Sequence, residues 1–166
     1  MNMFLKNYTS NVPVNQTVDR IEKTLIRCGV SAIQKEYGPS GEVAAVVFTI
    51  ALPEAPKVSI RLPADKNAAQ QALWLAYADG DKLSEDGQAL RWNAHKKKTR
   101  KDFREQAERT AWKIVQDWVE VQMSMIQMKQ ADFVQVFLPY VWDGNQTYYQ
   151  RLKANGYRAM LPEHTT

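Results

Sequence analysis

The chain is poor in the residues that usually carry chemistry. It has one cysteine, Cys28, and two histidines, His95 and His164, in 166 residues. A lone thiol forms no internal disulfide, which suits a reducing compartment. Two separated histidines without a partner thiol give no metal-ligand cluster. Asp79-Gly80-Asp81 with Glu85 and Asp86 has the acidity of a calcium loop. Yet the twelfth position counted from Asp79 is Leu90, where a bidentate glutamate would close the coordination. No run approaches the roughly 18 apolar residues of a membrane span. Met3, Phe4 and Leu5 near Met1 fall far short of a signal-peptide core. A nucleophile elbow, a P-loop and a dinucleotide fingerprint are all missing, and Gly38-Pro39-Ser40-Gly41 is a hairpin turn, not a phosphate cradle. The expectation is a cytoplasmic protein with no membrane segment, no metal and no cofactor, more a binder than an enzyme.

What is present is a foldable pattern. A hydrophobic fraction of 45% suits a globular chain. Pro13 opens a segment in which Val14, Val18, Ile21, Leu25 and Cys28 recur at steps of four, three, four and three, one face of a helix. Gly29 follows as a natural residue beyond its C-terminus. Three strands come next, over residues 30–37, 42–52 and 57–62. In the second, Ala44, Val46, Phe48, Ile50 and Leu52 share one face, and the other face is also mostly apolar, as in a central strand. In the third, Val58, Ile60 and Leu62 alternate with Lys57, Ser59 and Arg61. Short connections make an antiparallel meander the simplest topology. Pro63 ends the last strand, and Asp65 can cap a helix reaching about Ala78, whose alanines would let it lie close against the sheet.

A polar loop follows, and Thr99 then starts a helix of about thirty residues, or about 45 Å at 1.5 Å per residue. Ala111, Ile114, Trp118, Val121, Met125 and Met128 form one stripe on it. Trp112, Val115, Val119, Met123 and Ile126 form a second. Two short helices close the pattern, one from Asp132 to about Val141 and one from Thr147 to Asn155, with Asp143-Gly144 as the turn between them. The predicted class is α+β: an α-β-β-β-α unit (residues 1–78), a polar and basic loop (79–98), and a helical part (99–166) packed on the first unit.

Charge has one address. Between Arg91 and Lys113 there are nine basic and three acidic residues, so this segment holds +6 of a net +4 and the remainder sums to −2. Lys96-Lys97-Lys98-Thr99-Arg100-Lys101 has Arg91 and Trp92 on one side and Phe103 and Arg104 on the other. Closely spaced cations match a phosphate backbone, and Trp92 or Phe103 would offer a ring on which a base stacks. The helix start adds backbone N–H donors. Cations there oppose the macrodipole by roughly 0.3–1 kcal/mol each, so stability alone would favour acids. A nucleic acid, held through its phosphates, or another polyanion is the expected partner.

Two resemblances follow. The phrases Tyr8-Thr9-Ser10 with Val12-Pro13-Val14, Ala111-Trp112-Lys113-Ile114-Val115-Gln116-Asp117-Trp118-Val119, and Phe137-Leu138-Pro139-Tyr140 resemble a family of uncharacterised proteins from phage and mobile-element contexts. The likeness implies a genomic context and no activity. The order helix, three strands, helix is similar to the double-stranded-RNA-binding domain, in which lysines follow the third strand almost directly. Here Asp65, Lys66 and Asn67 stand at that place, so no residue is carried over.

A second feature is the aromatic and methionine cluster formed by Trp112, Trp118, Met123, Met125, Met128, Phe133, Phe137, Tyr140, Trp142, Tyr148 and Tyr149. It reads either as core between the long helix and its short neighbours, or as a homodimer seam or partner groove. The alternative function is therefore a protein-interaction module using Trp112, Trp118 and the methionines.

Overall fold

Helix α1 (Val14–Arg27) leads into strands β1 (Ala32–Tyr37), β2 (Val43–Ile50) and β3 (Val58–Pro63). Helix α2 (Lys66–Ala78) follows, then a 3-10 turn (Arg100–Phe103) continuous with the long α3 (Arg104–Gln127). Short helices α4 (Phe133–Phe137) and α5 (Tyr148–Ala154) complete the order. This computed structural model describes residues 5–53, 55, 57–78 and 98–160. It is the expected α+β arrangement, with one antiparallel sheet in the order β1-β2-β3. The chain forms two compact units, Met1–Ile21 with Ala64–Val119 and Glu22–Pro63 with Glu120–Thr166. Of the polar and basic loop (79–98), residues 79–97, which hold the calcium-like acids and His95, lie outside the described residues, as does His164.

The stripe on α1 is buried as its spacing demands, with Val18, Ile21 and Leu25 fully enclosed. Its end is a Schellman motif: the Val30 N–H reaches the Leu25 carbonyl and the Gly29 N–H reaches that of Ile26. This closure needs a left-handed residue, and Gly29 supplies φ +87° without a side-chain clash. Helix α2 is capped as expected, the Ala68 N–H donating to Asp65 Oδ1 at 2.9 Å.

The sheet is organised around Phe48. On β2 it stands opposite Ile33 of β1 and Ile60 of β3, while Val46 stands opposite Leu62. Its ring meets Phe137 edge-on at 5.5 Å and Phe133 at 6.1 Å, so α4 covers this face. The opposite face carries charge: Arg61 Nε and Nη2 lie 2.9 and 2.7 Å from Glu36 Oε2. The Arg61 guanidinium also sits 5.1 Å from the Trp142 ring centre.

Two local features depart from the expectation. Helix α4 ends at Phe137 and not near Val141, because Pro139 cannot continue an α-helix; residues Leu138–Tyr140 tighten into a 3-10 turn. The chain then pairs with the sheet: Val141 bridges Ile60, and the Trp142 N–H donates to the Ser59 carbonyl at 2.8 Å. That contact covers part of the open edge of β3.

Helix α3 is 24 residues long, about 36 Å at 1.5 Å per residue. Of its apolar stripes, Trp112, Val119 and Met123 of the second and Ala111 of the first are buried, and Gln116 is buried where Val115 is half-buried. Trp112, at 1% exposure, is a core residue and offers nothing to a partner protein. Phe137 and Met123 are likewise core. From the first stripe, Val121 and Met128 stand 56% and 67% exposed.

Phe48→Ala should lower the unfolding free energy by about 3–5 kcal/mol, the usual cost of an emptied aromatic site. Ile26→Ala, at an exposed position of α1, should stay within about 0.5 kcal/mol of the parent. Urea denaturation followed by circular dichroism measures both.

Candidate nucleic-acid interface

The cationic segment enters the described structure at Lys98. Its backbone N–H donates to the Tyr77 hydroxyl at 3.0 Å, and two residues on the Arg100 carbonyl accepts from Gln70 Nε2 at 2.8 Å. Helix α2 thus holds the chain on both sides of Thr99. Phe103 fixes the far end, its ring 5.4 Å from that of Tyr77 and 6.3 Å from that of Trp74. The Lys98 ammonium lies 5.8 Å from the Phe103 ring centre.

The turn is closed by its own acid. Asp102 Oδ2 accepts from the Thr99 N–H at 2.6 Å and from Thr99 Oγ1 at 3.0 Å, while the Asp102 N–H returns to the Thr99 carbonyl at 3.0 Å. A carboxylate therefore already stands where the helix start favours an anion. Glu105 and Glu108 follow on the first turns of α3. Acids and cations are thus interleaved at this end of α3. An N–H that the sequence reading offered to phosphate is used by Asp102.

The cations fall into two groups. Arg109 Nη1 pairs with Glu105 at 2.6 Å and its Nε donates to the Ser10 carbonyl at 3.2 Å. Lys113 pairs with Asp117 at 2.6 Å, and Arg104 Nε lies 3.7 Å from Glu108, which Lys66 also approaches at 4.0 Å. These three cations are matched by acids of the same helix. Arg100 and Lys101 are different: both are exposed, and among the described residues neither makes an ion pair.

The sequence-predicted site separates accordingly. Arg100 and Lys101 stand on the turn, Lys98 precedes it with its ammonium near the Phe103 ring, and Arg104 follows it, engaged by Glu108. Phe103 does not belong to the surface. At 2% exposure it is the hydrophobic anchor of the turn, and its ring cannot receive a base. Arg91, Trp92, Lys96 and Lys97 lie outside the described residues. Sequence reasoning missed the anchors Gln70 and Tyr77, since nothing in the local pattern of α2 announces a partner thirty or twenty-one positions away.

Burial pushes the Cys28 thiol up, away from the reactive thiolate. Among the described residues no group of three or more His, Cys, Asp or Glu side chains could hold a metal ion, and no helix is long and apolar enough to cross a membrane. Compared with family models, curated proteins and solved structures, the chain finds no match.

Asp102→Ala removes the cap from the turn and should cost about 1 kcal/mol of stability, as lost caps generally do. Urea unfolding of the variant beside the parent checks this; an unchanged midpoint would mean that Phe103, Gln70 and Tyr77 hold the turn without the cap.

Proposed function

We propose that this chain is a non-enzymatic binding protein for nucleic acid, gripping the phosphate backbone at the turn before α3. The resemblance of its packing motifs to phage and mobile-element proteins suggests the setting in which it works. The observation that carries the proposal is the pair of exposed cations Arg100 and Lys101, unpaired among the described residues. The turn displaying them is held by Gln70, Tyr77 and Phe103. A rigid display of charge loses little side-chain and loop entropy on binding. Lys98 adjoins it, and Lys96 and Lys97 precede it in sequence. Binding of this kind reads charge and spacing, not base identity.

The test is a titration of labelled single- and double-stranded oligonucleotides at several salt concentrations, using the parent and an Arg100→Gln/Lys101→Gln variant. Each lost phosphate contact should flatten the log–log salt dependence by about 0.9 on duplex and about 0.7 on single strands. The double variant should therefore lose a slope of about 1.8 or about 1.4. Undetectable affinity at low salt, or an unchanged slope in the variant, would contradict the proposal.

One observation favours a second reading, a protein-interaction module. Val121 and Met128 on α3, Val134 on α4 and Leu138 just after it are all exposed, more apolar surface than these elements need for their own packing. On this reading Val121→Glu/Met128→Glu would lose a captured protein partner that Arg100→Gln/Lys101→Gln retains.

A further inference from the structure

We infer that residues 5–10 form a strap on α3 that opens on its own, and that Asp117 is its latch. The segment runs antiparallel to the helix. At one end the Ser10 carbonyl accepts from Gln106 Nε2 at 3.1 Å and from Arg109 Nε at 3.2 Å. Midway, Thr110 Oγ1 donates to the Asn7 carbonyl at 3.1 Å. At the other end Asp117 Oδ2 accepts from Asn7 Nδ2 at 2.9 Å and lies 3.2 Å from Lys6 Nζ. Spacings of three and four place Gln106, Arg109, Thr110, Lys113 and Asp117 along one side of the helix.

The strap's own structure is slight. It contains one turn, the Ser10 N–H to the Asn7 carbonyl, with Asn7 in the left-handed region at φ 62°. Asparagine tolerates that conformation better than most residues. Tyr8 is buried, but the polar attachments are made by side chains of α3 and not by a ladder of backbone bonds. Segments held in this way open at free energies below that of global unfolding. Opening frees Arg109 Nε and uncovers the Thr110 hydroxyl, both otherwise occupied by strap carbonyls.

Asp117 is suited to the latch because it stays ionised. Burial would raise its carboxyl, but hydrogen bonds from Lys113, Asn7 and Lys6, together with the Lys113 charge, outweigh that and hold it below its ordinary 3.8. The cations facing it are Lys6 from the strap and Lys113 from its own helix. A depressed value means that the latch is complete above pH 3.8 and fails as pH falls through the lower folded value. At neutral pH the Asp117 carboxylate is therefore ionised, and opening is set by the strength of these contacts and not by its titration.

Limited trypsin digestion of the full chain at neutral pH, with cleavage after Lys6 followed by mass spectrometry, tests the assignment. When opening is fast relative to cleavage, the rate reports the population of the open strap. Asp117→Asn should speed this cut about tenfold, the scale of losing a charged hydrogen bond, while cuts within α3 stay at the parent rate. Asn7→Gly, which keeps the left-handed backbone and removes the amide contact, should speed it as well. Lys113→Met leaves both strap contacts to Asp117 in place and should not. The inference is overturned if Asp117→Asn leaves the cut unchanged, if Lys113→Met speeds it equally, or if all sites accelerate together.

Discussion

Burial of Phe103 is the constraint on which the functional account depends. Its ring packs against those of Trp74 and Tyr77 and anchors the entry to α3. Arg100 and Lys101, on the same turn, are exposed. The hydrophobic effect, worth roughly 1.5–3 kcal/mol for a fully buried side chain of this kind, thereby decides the placement of charge. The same burial removes Phe103 from any role as a stacking platform. The two functions that the local sequence suggests for this segment, phosphate grip and base stacking, are not both available to the residue that anchors it.

Neutralisation sets the scale of the site. A segment with nine basic residues between Arg91 and Lys113 reads in one dimension as a broad positive field. In three dimensions Glu105, Glu108 and Asp117 each take a cation four residues away on α3, pairs that helical geometry brings together and that contribute a few tenths of a kcal/mol each. Among the described residues, what remains outward without an ion pair is the pair Arg100 and Lys101, and on the proposed reading its grip on phosphate comes from being held still.

Legibility followed periodicity. The four-three spacing on α1 and the alternation of Val58, Ile60 and Leu62 need only local geometry, and the structure has both. Gly29 was readable because one residue type dominates the position after a helix. Contacts without a period were not readable. A two-residue pairing such as Val141 and Trp142 on β3 leaves no alternating pattern, and the shortening of α4 turned on one residue, Pro139, inside an otherwise helical run. On α3, two stripes compete in sequence, and only packing selects the one through Trp112, Val119 and Met123. At the candidate site the cations were legible, but their partners were not, because an acid three or four residues away can equally face water. Asp102 shows the limit: Thr99 and Asp102 have the spacing of a capping pair, yet the lysines around them drew the reading toward an external anion.

The most direct measurement is the ultraviolet spectrum of the protein purified at low salt, before and after a high-salt wash. Five tryptophans and seven tyrosines give a strong 280 nm band against which bound nucleic acid is easily seen. The account predicts excess 260 nm absorbance that the wash removes, as counterion competition requires. A protein-like spectrum from the outset, unchanged after incubation with duplex or single strands and passage through a desalting column, would contradict it.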